Sequence, residues 1–166
     1  MKPMVVQTMI IQLNSPKTFT ATNPALDEYF QNYGKAHQKE VFGLETVEDQ
    51  AKVLFGASLK RQKEMLLKSV KNAEKEKKES SKIYQLYITQ NLTRLAKIFT
   101  KNNGFSAAEM DNLLKNRNEK WLIQLPALMQ KQSLFIAVGA GHLVGKDGLI
   151  KGLQTLGYTV KPVSTN

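Results

Sequence analysis

Three side chains in this sequence combine a chemical function with a setting that could use it. His142 follows Gly139-Ala140-Gly141 at the end of the apolar run Leu134–Val138. Glycines beside it let backbone and ligand approach closely, so the imidazole is placed to accept a proton or to give a lone pair to a metal. It could equally rest on a backbone hydrogen bond at a strand end. Glu45 directly follows another short apolar run, Glu40–Leu44. It could act as a base or metal ligand, or complement the positive end of the helix that starts after it. Arg117 precedes Asn118 and Trp121 in a helical stretch. An arginine there could orient a carboxylate or hold an oxyanion, and the Arg-Asn pair could also be plain surface. One His, one Glu and one Arg form a thin constellation, because a catalytic metal site takes about three protein ligands.

Other candidates carry less. His37, at a predicted helix end, reads as a partner for the helix dipole. The Gly139-Ala140-Gly141 turn has neither the Lys-Ser/Thr ending of a phosphate loop nor dinucleotide G-x-G-x-x-G spacing. There is no cysteine, which removes disulfides, thiolate catalysis and cysteine-bound metal.

The elements that must position these residues can be read from periodicity and punctuation. Leu134–Val138, a segment from about Asp147 to Leu156, and Tyr158–Val163 read as strand, helix and strand, with Gly157 ending the helix. In open α/β sheets ligands gather where strands deliver their loops, which puts His142 in the usual place for chemistry. Glu40–Leu44 reads as a buried strand, so Glu45 would share that sheet edge if the strands run parallel. Pro3 suits a first helical turn and favours a helix over residues 2–13. Asn23-Pro24 opens a helix to about His37 with Leu26, Phe30 and Tyr33 on one face. Thr46 caps a helix from Val47 towards the lysine-rich stretch, with an interruption near Gly56. A second long helix spans about Ser81–Lys101 and stops at Asn102-Asn103-Gly104. The two would form a helical hairpin over about residues 47–102. Ser106 and Glu109 form a capping box, and Pro126 is placed to kink or restart the next helix.

At 166 residues the chain suits one domain, residues 1–166, with a core of its own. The net charge of +10 would permit contact with nucleic acid or anionic lipid. Many of the lysines, however, alternate with glutamates in Lys71–Lys82, the pattern of a solvated helical face. No aromatics are interleaved there to stack on bases, so nucleic acid is not an expected partner. No segment reaches the ~20 apolar residues of a membrane span.

Together these residues resemble a known family. VFGLETVEDQ at Val41–Gln50, the pair Arg117-Asn118, and FIAVGAGHLVGKDGLIKGLQTLGYTVKPV at Phe135–Val163 are similar to the TraB/GumN group, which includes the TIKI-type proteins. Gly139-Ala140-Gly141-His142 matches its second G-x-x-H, Glu45 its L-E-T glutamate and Arg117 its helix arginine. The resemblance implies a helix-dominated α/β fold with a small, largely parallel sheet, related to the erythromycin-esterase and ChaN-like proteins. It further implies a metal-dependent hydrolase, some members being peptidases, with a divalent ion (Mn, Co or Zn) held by His142 and Glu45 while Arg117 assists. The family's first G-x-x-H has no counterpart. Gly34-Lys35-Ala36-His37 has the spelling but lacks the apolar strand before it. The chain is therefore expected to be the C-terminal portion of the domain, inactive alone. Its expected partners are the missing N-terminal half, or a second copy joined through an exposed sheet edge. The substrate would be a peptide or small molecule, and the parent extracytoplasmic or membrane-anchored. The alternative is a non-enzymatic binding module with His142 structural.

Overall fold

The computed structural model describes residues 1–15, 19–20, 22–99 and 104–163. Among them the secondary structure is helical, with no strand and no sheet; the one β-type contact is an isolated bridge between Thr20 and Asn23. The α/β expectation, with its small parallel sheet, is therefore corrected. The physical reason lies in the three runs read as strands. Leu134–Gly139 is irregular, its residues alternating between half-buried (Leu134, Ile136, Val138) and exposed (Phe135, Ala137, Gly139). The period-2 pattern is real, but a strand exists only when a neighbour completes its hydrogen-bond ladder, and none does here. Tyr158–Val163 likewise pairs with nothing in a ladder. Glu40–Leu44 is irregular too, and Val41 and Phe42 are exposed rather than buried.

The chain divides into two compact units, Met1–Gln90 and Asn91–Asn166. In the first, α1 (Pro3–Leu13), α2 (Leu26–Ala36), α3 (Val47–Phe55), α4 (Leu59–Lys71) and α5 (Ala73–Ile88) succeed one another. Pro3 takes the first position of α1, where its missing N–H costs nothing. Helix α2 starts at Leu26 with Ala25 as its cap, two residues later than the expected opening at Asn23-Pro24; the Asn23 backbone instead pairs with Thr20. The hydroxyl of Thr46 accepts from the Asp49 N–H and opens α3. The expected break at Gly56 is present, with Ser58 capping α4. The lysine-rich run lies mostly within α5, after a turn at Asn72.

Helices α1 and α4 pack together through an unusual seam. Gln62, Met65 and Ser69 lie on one face of α4, all buried. Gln62, 1% exposed, donates its amide hydrogens to Phe55 O (3.2 Å) and Ala57 O (2.7 Å), while its Oε1 accepts from Met4 N (3.3 Å). The last carbonyls of a helix and the first N–H groups of another have no partner within their own helices. One glutamine thus supplies a C-terminal partner for α3 and an N-terminal partner for α1. Beside it, Gln7 of α1 donates to Ser69 Oγ at 3.0 Å.

In the second unit α6 (Leu92–Phe99) begins after Gln90, whose φ of +54° breaks the long helix expected over Ser81–Lys101; the end of that expected helix lies outside the described residues. Helix α7 (Ala107–Met110) opens on the capping box of Ser106 and Glu109. It passes through a π turn, Asp111–Lys115, directly into α8 (Asn116–Lys131). The Asn116 N–H reaches back five residues to Asp111 O, the mark of a π turn. Helix α8 runs through Pro126 without ending there. The short α9 (Ala140–Leu143) and α10 (Leu149–Thr155) complete the unit. Helix α10 ends in a Schellman motif: Gly157 has φ +90°, its N–H bonds Gln154 O, and the Tyr158 N–H bonds Leu153 O. The buried apolar side chains here are Leu95, Trp121, Leu125 and Leu149.

Replacing Gln62 by alanine would strip both helix ends of their partner inside a buried seam. It is expected to cost about 2–3 kcal/mol, measured by chemical denaturation, whereas Lys60→Ala on the exposed face should stay within about 0.5 kcal/mol. A Gln62→Ala protein as stable as wild type would remove this account of the seam.

Candidate functional site

His142 sits in α9 and is 7% exposed. Glycines flank the histidine on both sides. Gly139 precedes α9, and the His142 N–H bonds Gly139 O at 2.9 Å. Gly141 lies where a Cβ would come against Leu114 of the π turn and Phe99 of α6. After α9 the chain reverses through Gly145, at φ +86°, and Gly148. At Gly148 a Cβ would fall 2.4 Å from Val144 O and 2.6 Å from Leu143 O, so only glycine fits without moving backbone.

Helix α8 supplies the facing residues. Asn118, 2% exposed, is among the most deeply buried side chains described. Its Oδ1 lies 2.7 Å from His142 Nδ1. Its Nδ2 donates to His142 O at 3.2 Å and to Asp147 O at 2.8 Å. A single amide therefore holds α9 by ring and backbone, and also holds the turn that leads to α10. Trp121, one turn further along α8, brings its indole to 4.5 Å from the imidazole, centroid to centroid.

Arg117 belongs to the same cluster. Its guanidinium stands 5.0 Å from the Trp121 ring centroid, within cation–π range. Its Nη1 donates to Leu113 O, in the π turn, at 2.9 Å. Inserting one residue into a helix rotates the rest of that helix by about 100°. Leu114 of the π turn meets α9 at Gly141, and Asn118, one turn further along, meets it at His142.

Of the residues singled out in the sequence, the structure brings His142 and Arg117 to one cluster, both against Trp121. Glu45 lies in the first unit, half-buried in the bend before α3, and the sheet edge that was to carry it is not formed. His37 ends α2 as expected: its Nδ1–H donates to Tyr33 O at 2.8 Å and its ring stacks on Tyr33. Asn118 is the residue that sequence reasoning undervalued. Its spacing was the available signal: Asn118, Trp121 and Leu125 recur at i, i+3 and i+7, the buried stripe of α8.

The profile of the TraB/PrgY/gumN family matches residues 1–162. The chain belongs to this family. No curated protein and no solved structure matches it. Of the stretches likened to the family in the sequence, Gly139-Ala140-Gly141-His142 forms α9 and its entry, Gly145–Gly148 forms the reversal after it, and Arg117-Asn118 lies on α8. Among the described residues no three His, Asp, Glu or Cys side chains group as metal donors. The side chain nearest to completing the site at Nδ1 is an amide, not a carboxylate. Within the second unit, the side chains described around His142 do not by themselves make up the donor set of the divalent ion that the family resemblance implied. No helix among the described residues is long and apolar enough to cross a membrane.

Gly148→Ala tests whether the reversal holds the cluster. The new methyl group would press on two backbone carbonyls and displace the Asp147 carbonyl that Asn118 grips. A loss of about 1–3 kcal/mol is expected by denaturation, together with shifted NMR signals of the His142 ring. Unchanged ring signals would show that the turn does not hold the histidine.

Proposed function

We propose that this chain carries part of the active centre of a TraB/PrgY/gumN-type hydrolase, with His142 as its proton-accepting side chain and Arg117 as its orienting cation. The observation that supports this reading is the setting of His142: a buried imidazole gripped by a buried amide and packed on an indole that also carries the arginine. An imidazole in fixed orientation suits general-base activation of water. A guanidinium suits the carboxylate of a peptide or the oxyanion formed as an acyl bond is attacked. Glu45 enters as a further acid–base group from its Leu44-Glu45-Thr46 motif alone. No step is taken through a metal, since the donors described do not group to hold one.

A second reading, a non-enzymatic binding module, is favoured by the apolar side chains left in solvent. Val47 (80%), Ile123 (81%) and Phe135 (75%) are largely exposed, and apolar surface of this kind can be covered by a partner.

Hydrolysis of a panel of short peptides and acyl esters, with and without Mn²⁺, Co²⁺ or Zn²⁺, separates the two. The hydrolase reading expects turnover that falls about 10²–10⁴-fold in His142→Ala, and a substantial loss in Arg117→Lys, because an ammonium lacks the planar fork. Turnover unchanged in His142→Ala would favour the binding module.

A further inference from the structure

We infer that Asn118 is a positioning residue that fixes the tautomer of His142, holding the proton on Nδ1 and leaving Nε2 as the nitrogen that can accept a proton or donate a lone pair. The inference deepens the proposed function and rests on it for its consequence, though not for its evidence. Two backbone carbonyls decide which way the amide faces. Asn118 Nδ2 lies 2.8 Å from Asp147 O and 3.2 Å from His142 O. Carbonyl oxygens only accept hydrogen bonds, so the end of the amide facing two of them must be the NH₂ group. The orientation of a side-chain amide is assigned from such partners, and here two independent backbone acceptors agree. Turned the other way, the amide oxygen would face two carbonyl oxygens inside a buried site, which is costly.

With the NH₂ group so committed, the atom 2.7 Å from His142 Nδ1 is an oxygen, which also only accepts. The shared proton must then belong to Nδ1. In a neutral imidazole one nitrogen carries the proton and the other accepts, so Nε2 is left with its lone pair. An unconstrained histidine side chain in water prefers the opposite tautomer, with the proton on Nε2. The site therefore reverses the intrinsic preference, by an amide that three hydrogen bonds hold in place within a side chain only 2% exposed. A histidine whose other nitrogen is fixed in this way has its acting atom and its ring plane set in advance. The same amide anchors the backbone before the Gly145–Gly148 turn, at His142 O, and within it, at Asp147 O, so tautomer and ring position are set together.

The test is a long-range ¹H–¹⁵N correlation spectrum of the ¹⁵N-labelled protein, at a pH where His142 is neutral and with no substrate or metal added. The expected wild-type result is a protonated, pyrrole-type Nδ1 and an unprotonated, pyridine-type Nε2. A spectrum with the proton on Nε2 would overturn the inference without any mutant. In Asn118→Ala the Nε2–H form should become the major one. In Asn118→Asp the carboxylate can still accept from Nδ1–H but cannot donate to the two carbonyls, so the Nδ1–H tautomer should persist while stability falls. A folded Asn118→Ala protein that keeps the wild-type tautomer would overturn the role of Asn118. The spectrum involves no turnover, so a fixed Nδ1–H tautomer together with hydrolysis unchanged in His142→Ala would count against the hydrolase reading alone.

Discussion

The second unit depends on one buried amide having all its hydrogen bonds made. Asn118 is enclosed by α8, α9 and the turn before α10, and its polar atoms meet the imidazole and two backbone carbonyls from the stretch His142–Asp147. A buried amide left unsatisfied costs about 1–3 kcal/mol per lost group. The surrounding backbone is therefore constrained to bring Asp147 O, His142 O and the imidazole to one place. Gly145 and Gly148 serve that constraint: the first takes a φ of +86°, and at the second a Cβ would fall against backbone carbonyls. The histidine is oriented as a consequence.

The weight of such amides reflects the modest number of buried apolar side chains. Among the described residues these are Met65 in the first unit and Leu95, Trp121, Leu125 and Leu149 in the second, whereas many large apolar side chains are exposed. With little apolar burial to favour one arrangement of helices, directional bonds must select it. Gln62 does in the first unit what Asn118 does in the second: a long polar side chain on a helix face takes up backbone groups that neighbouring segments leave unpaired. Both are neutral amides able to donate and accept at once, as a charged side chain cannot.

How much of this was legible in the sequence depended on distance along the chain. Local signals read correctly: Pro3 at a helix start, Thr46 as a cap, the Ser106–Glu109 capping box and Gly157 as a helix stop each act within a few residues. The strand readings failed for the complementary reason. Leu134–Val138 is an apolar run of strand length, but a strand is made by a partner ladder, and an apolar run cannot say whether one exists. Losing the sheet removed the geometry that was to unite Glu45 with His142. The π turn was invisible because nothing in Asp111–Lys115 distinguishes an i→i+5 turn from an ordinary one. His142 and Arg117 were found by type, and both lie against Trp121; Asn118 was read only as the neighbour of Arg117, although its place on the stripe with Trp121 and Leu125 marked it as buried.

The most direct test of the central claim is a double-mutant cycle between Asn118 and His142, with the stabilities of wild type, Asn118→Ala, His142→Ala and the double variant measured by chemical denaturation. The backbone bonds of Asn118 to His142 O and Asp147 O remain possible in His142→Ala, so the cycle isolates the bond between the two side chains. A coupling of about 1–3 kcal/mol is predicted for groups sharing one buried network. Effects that simply add, within about 0.5 kcal/mol, would show that the amide does not hold the imidazole, and the account of this site would fall with it.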